Sequence, residues 1–150
     1  MELFEAVADA VVGMVPAELG APRCKAHRYG VKVWFGGEKP EREHYEAQVI
    51  NARHVRAAKV LAIEVGFHAE HPKPADNDAV LATVMAEEKS WRKVLGVEAE
   101  AGEFLGREGW TRLSETWPDP SLDDEEIAFE LAARLTDYIT VVEPILRKRG

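Results

Sequence analysis

The stretches His44-Tyr45-Glu46-Ala47-Gln48-Val49-Ile50 and Leu61-Ala62-Ile63-Glu64-Val65-Gly66-Phe67-His68-Ala69-Glu70 decide the fold. In both, apolar and polar residues alternate with period two, the period of an extended strand whose successive side chains point to opposite faces. Tyr45, Ala47 and Val49 share one side of the first strand, and Leu61, Ile63, Val65 and Phe67 share one side of the second. The opposite sides carry His44, Glu46 and Gln48, and Ala62, Glu64, Gly66, His68 and Glu70. Neighbouring strands that agree on an apolar and a polar side predict an antiparallel sheet covered on one face.

Upstream, Leu3, Phe4, Val7, Val11 and Met14 recur at steps of three and four, which predicts a helix ending before Pro16. Val31 to Phe35 is β-branched and aromatic, the composition of a strand, and Arg23 to Tyr29 is a candidate edge strand. Gly36 to Pro40 is a loop by composition. Downstream, Pro72, Pro74 and Asp76-Asn77-Asp78 stop the sheet and open a helix expected to run to Leu95, with Gly96 as its stop. Trp110 to Glu115 reads as a short strand. Ser121 to Asp124 fits a capping box for a long final helix with Leu131, Leu135, Tyr138, Val142 and Ile145 on one face.

The order is helix, strands, helix, strand, helix, in one domain spanning residues 1–150. The expected class is α+β, with a mostly antiparallel sheet of about four strands and helices packed on one face. A chain of this length buries enough surface to fold on its own core. There is no internal repeat, and Trp34, Trp91, Trp110 and Trp117 are read as core or rim aromatics.

Composition narrows the function classes. The net charge is −8, and residues 97–126 carry ten acidic residues against two arginines, leaving the remainder balanced. That disfavours nucleic acid as a partner, because binding phosphates requires a net positive face. Nothing resembles a membrane span or a secretory leader, so no membrane association is expected and the location is read as cytoplasmic. The single cysteine, Cys24, forms no internal disulfide or CxxC site and is set aside as a nucleophile. The glycines lack phosphate-loop spacing.

Chemistry therefore concentrates between residues 43 and 71, which hold four of the five histidines. If Ile50 lay opposite Val60, Glu46 would face Glu64, and like charges directly opposite are destabilising. A two-residue shift keeps every apolar residue on its side and sets His44 opposite His68, Gln48 opposite Glu64 and Glu46 opposite Gly66. His44, Glu46, Gln48, Glu64 and His68 are thus the candidate binding residues. Parity places His54 and His71 outside the set. His68 and His71 do not form the helical HExxH arrangement, and the Glu46-x-Gln48 pairing with Glu64 lacks the lysine of a nuclease centre.

Two functional readings follow. The first is a non-catalytic ligand- or protein-binding module without a cofactor. The alternative is a metal-dependent hydrolase in which His44, Glu46 and His68 hold a divalent transition metal as two histidines and a carboxylate. The small residues Ala62 and Gly66 suggest room for a ligand on this face. The broad apolar stripe of the final helix makes a homodimer through that helix a candidate assembly.

Overall fold

The computed structural model describes residues 2–149. Four α-helices and six strands follow in the order α1 (Leu3–Met14), β1 (Arg23–His27), β2 (Gly30–Trp34), β3 (Glu43–Asn51), β4 (Leu61–Ala69), α2 (Pro74–Met85), α3 (Glu88–Leu95), β5 (Glu100–Glu103), β6 (Thr111–Pro118) and α4 (Ile127–Lys148). The strands form one antiparallel sheet ordered β1-β2-β3-β4-β6-β5. The α+β class is as expected, with six strands rather than about four.

β1 is the edge strand expected within Arg23 to Tyr29, and its residues alternate exposed and half-buried, as at a sheet edge; β5 is the strand without a counterpart in the sequence reading. β5, Glu-Ala-Gly-Glu, has neither β-branched residues nor a hydrophobic run, so only its pairing with β6 makes it a strand.

β3 and β4 pair with His44 opposite His68, Tyr45 opposite Phe67, Glu46 opposite Gly66 and Gln48 opposite Glu64. This is the register that separates Glu46 from Glu64. Tyr45, Ala47, Ile63, Val65, Phe67 and Leu113 form the buried apolar face of the sheet and join the residues of α1 and α4 in one core. Removing such side chains from water is the main favourable term, about 1.5–3 kcal/mol for each large aliphatic or aromatic residue.

The helix expected over residues 74–95 is two helices, broken at Ala86–Glu87. Trp91, buried in the core, donates its indole N–H to the Val84 carbonyl, tying the second helix back to the end of the first. Pro74 takes the opening position of α2, and no side chain caps it. Asn77 is instead buried and links Gly109 to the chain after β4, through bonds to both backbone groups of His71 and to the Gly109 carbonyl. α4 likewise starts later than a Ser121 cap would place it, and it continues through Pro144 to Lys148.

The apolar stripe of α4 is used within the chain. Leu131, Leu135, Tyr138, Ile139 and Val142 are all sealed from solvent in the core, whereas Phe129 is 60% exposed. The expected homodimer therefore does not have this stripe to offer. Among the described residues no helix is long and apolar enough to cross a membrane.

Gly66 leaves no room for a ligand, contrary to the sequence expectation: a Cβ placed there would lie 2.4 Å from the Leu113 carbonyl oxygen and 2.5 Å from the Ser114 Cα, both backbone atoms of β6. The missing side chain admits the neighbouring strand. Gly66→Ala should force β4 and β6 apart and cost at least the ~1–3 kcal/mol typical of overpacking, about a fifth of a small domain's stability. Urea denaturation checks this, and a midpoint equal to that of the wild type would contradict the close approach.

Candidate metal centre

The polar face of the β3–β4 hairpin is not a hydrated surface. His44 is 2% exposed, His68 0%, Glu64 1%, Glu46 5% and Glu70 8%. The edge of Phe104 packs on the His68 ring with centroids 4.5 Å apart, and Trp110 packs in turn on Phe104. The segment between β5 and β6 thus covers this side, and its Gly106 backbone approaches the ring of His54.

His44, Glu46, His68 and Glu70 each turn one donor atom inward, and the four atoms lie within 4.8 Å of one another. Histidine and carboxylate alternate around a ring. His44 Nε2 is 3.2 Å from Glu46 Oε1 and 3.3 Å from Glu70 Oε2, while His68 Nδ1 is 3.2 Å and 3.4 Å from the same two oxygens. A ring with these sides and diagonals encloses a point about 2.0–2.4 Å from every corner, the bond length of nitrogen and oxygen ligands to a divalent transition ion.

The outer nitrogens of both imidazoles are already engaged. His44 Nδ1 is 2.8 Å from the Glu41 carbonyl, which only accepts, so that nitrogen carries a proton. His68 Nε2 is 2.6 Å from Glu64 Oε2. Each neutral ring would therefore turn a bare lone pair toward two carboxylate oxygens. Such an arrangement requires either a proton on each inner nitrogen or a cation between them. Among the described residues, no lysine or arginine forms an ion pair with Glu46, Glu64 or Glu70.

Of the residues singled out in the sequence, His44, Glu46 and His68 lie on the donor ring. Gln48 and Glu64 stand behind it, where Gln48 Nε2 donates to Glu64 Oε1 over 3.0 Å. His54 is outside, and His71 pairs with Glu43 at 2.6 Å away from the donor ring. Glu70 is the donor on this ring that the candidate set omitted. It lies one residue past β4, yet its N–H bonds to the Arg42 carbonyl and so continues the ladder. The signal was present as a doublet, His44-x-Glu46 and His68-x-Glu70, with all four residues on one face.

The charges are mutually dependent. Burial alone would drive the protons off both histidines, but hydrogen bonds donated by the ring to Glu46 and Glu70 hold His44 above its ordinary range. Attraction to Glu64, with hydrogen bonds to Glu46, Glu64 and Glu70, holds His68 well above it. Burial would likewise raise Glu46, and the two imidazoles instead bring it down to about 2. Glu70 is lowered against burial by the same pair.

No protein-family model, curated protein or solved structure matches the chain.

A pH dependence of the metal-stripped protein follows. Stabilisation from the raised histidines is complete below their ordinary value of 6.5 and is lost as pH rises through their folded values. Stabilisation from Glu46 is present above 4.5 and is lost as pH falls toward about 2. Urea melts in chelator should therefore be most stable between about pH 4.5 and 6.5. Above this window the loss should be about 1.4 kcal/mol for each unit by which a histidine is raised. A flat profile from pH 6 to 9 would contradict the coupling.

Proposed function

We propose that this protein is a metal-binding domain that holds one divalent transition ion through His44, Glu46, His68 and Glu70, without catalysis at the ion. The observation that carries the reading is the near-equal spacing of both inner imidazole nitrogens from both carboxylate oxygens. A three-centre N–H on each imidazole would serve both oxygens only weakly, because the 3.2–3.4 Å distances exceed the 2.7–2.9 Å of a charge-assisted hydrogen bond. A central cation accounts for all four.

Charge supports the same reading. Two neutral imidazoles and three carboxylates leave a buried charge of −3, and a divalent ion supplies the same two positive charges as two imidazolium protons. The donors are two nitrogens and two oxygens with no thiolate, which suits zinc, manganese, iron(II) or cobalt(II) rather than copper(I).

The non-catalytic part rests on access. Catalytic metals keep a position open for water or substrate. Here the side chains of Glu46 and Glu70 are only 6% and 10% exposed and the histidines less, so a substrate cannot reach the ion past the segment carrying Phe104. The metal-dependent hydrolase reading requires that segment to open.

The centre is complete within one chain, so the reading calls for no second copy. Light scattering at micromolar concentration should return the 16.7 kDa mass of the monomer. A dimer mass would return the exposed flank of α4, with Phe129, as an interface. The net charge of −8 keeps nucleic acid outside the proposed partners. A cytoplasmic setting fits a chain with one cysteine and no disulfide.

Protein purified without a histidine tag and stripped by chelator should take up one equivalent of Zn(II) or Co(II), with uptake abolished in His44→Ala/His68→Ala. Metal at one hundred times its Kd should stabilise the wild type by about 2.7 kcal/mol and leave the double variant unchanged. Uptake below a tenth of an equivalent would sink the reading. Azide should leave the cobalt(II) spectrum unaltered, whereas a shifted spectrum would reveal an open position and favour the hydrolase.

A further inference from the structure

We infer that Glu64 is the positioning residue of this centre: reaching across Gly66, it fixes His68 so that Nδ1 rather than Nε2 is the nitrogen presented to the metal. The inference rests on the metal reading above and extends it to a residue that does not touch the ion.

Residues 64, 66 and 68 share one face of β4, and long side chains four positions apart on a strand meet only if no side chain stands between them. Gly66 sets no side chain between them, and Glu64 Oε2 comes within 2.6 Å of His68 Nε2. A carboxylate only accepts hydrogen bonds, so it selects the tautomer with the proton on Nε2 and the lone pair on Nδ1. Turning the ring over would set the Nδ1 side against Glu64 at a different distance and angle, and the 2.6 Å contact would be lost.

Glu64 is in turn held in place. Its Oε1 accepts from Gln48 Nε2, the residue directly opposite in the register. Ser114, on β6 directly opposite Gly66, lowers the proton affinity of the same carboxylate. Ser114 Oγ also accepts from the Arg112 guanidinium. A buried carboxylate with this many donors has little reason to remain on a hydrated sheet face, but it suits the outer partner of a metal-bound histidine. Such partners set ring orientation and ligand basicity, and losing one typically weakens metal binding 10- to 100-fold. His44 is held differently, by the Glu41 backbone carbonyl, so a side-chain substitution can test the role only at His68.

The test uses the full chain, with Co(II) affinity measured by competition against a chelator and with ¹⁵N spectra of labelled histidine in the Zn(II) form. In the wild type, the His68 Nδ1 signal should carry the metal shift while Nε2 retains its proton. Glu64→Gln conserves shape, but its amide can donate and so no longer enforces the tautomer. It should bind Co(II) about 10- to 100-fold more weakly and show mixed or inverted His68 nitrogen signals. Gln48→Met, which leaves Glu64 in place without one donor, should lose affinity by less than the 10- to 100-fold expected for Glu64→Gln and keep the wild-type tautomer. A merely structural role would lower the urea midpoint of the metal-free protein and leave the nitrogen pattern intact. Wild-type affinity and an unchanged pattern in Glu64→Gln would overturn the positioning role while the metal reading stands. If Glu64→Gln does not fold, a Gln48→Met variant with unchanged affinity overturns it. Failure of the wild type to bind Zn(II) or Co(II) overturns both.

Discussion

The register between β3 and β4 is the constraint on which the rest depends. A slip of β3 by one residue would turn His44 and Glu46 into the apolar layer under α1 and α4 and expose Tyr45 on the other side. A slip of two would bring Glu46 against Glu64. The helices enforce the first prohibition, because their buried stripe requires the aromatic and aliphatic face. Electrostatics enforces the second. Only with His44 opposite His68 do the two His-x-Glu pairs, running in opposite directions, place their histidines side by side and their carboxylates at the two ends.

Burying that arrangement is expensive. Ionised carboxylates removed from water cost several kcal/mol each unless their charge is matched, and breaking a buried pair is costlier than never having made it. Two imidazole protons match that charge, and under the proposed metal reading one divalent ion would do so instead, competing with the protons for the two inner imidazole nitrogens. The apolar layer on the opposite face supplies the stability that lets the chain carry such a centre. Gly66 connects these requirements. Its missing side chain lets β6 pack directly on β4 and sets no side chain between Glu64 and His68.

Much of this was legible from residue order. Alternation over 44–50 and 61–70 gave the sheet, its two faces and, with the rule against opposed like charges, its register. From these followed the convergence of His44, Glu46 and His68. The less legible parts have identifiable causes. Pro72 suggests a turn immediately after Glu70, which hides the one ladder bond that keeps Glu70 in line with the strand. β5 has no strand composition of its own and exists because β6 offers it an edge. Helix periodicity continues across Ala86–Glu87, where the chain nevertheless breaks to bring Trp91 into the core.

Sequence by itself determined what depends on short periods: the α+β class, the division of faces, the pairing of β3 with β4, and three of the four donor residues. Tertiary structure alone decided that the polar face is sealed rather than wet, because its cover comes from Phe104 and Trp110, far along the chain, in a segment without periodicity. It also decided the proton positions. The acceptor for His44 is the backbone carbonyl of Glu41, a group every residue possesses, and no side-chain pattern announces which carbonyl a folded chain will aim at an imidazole.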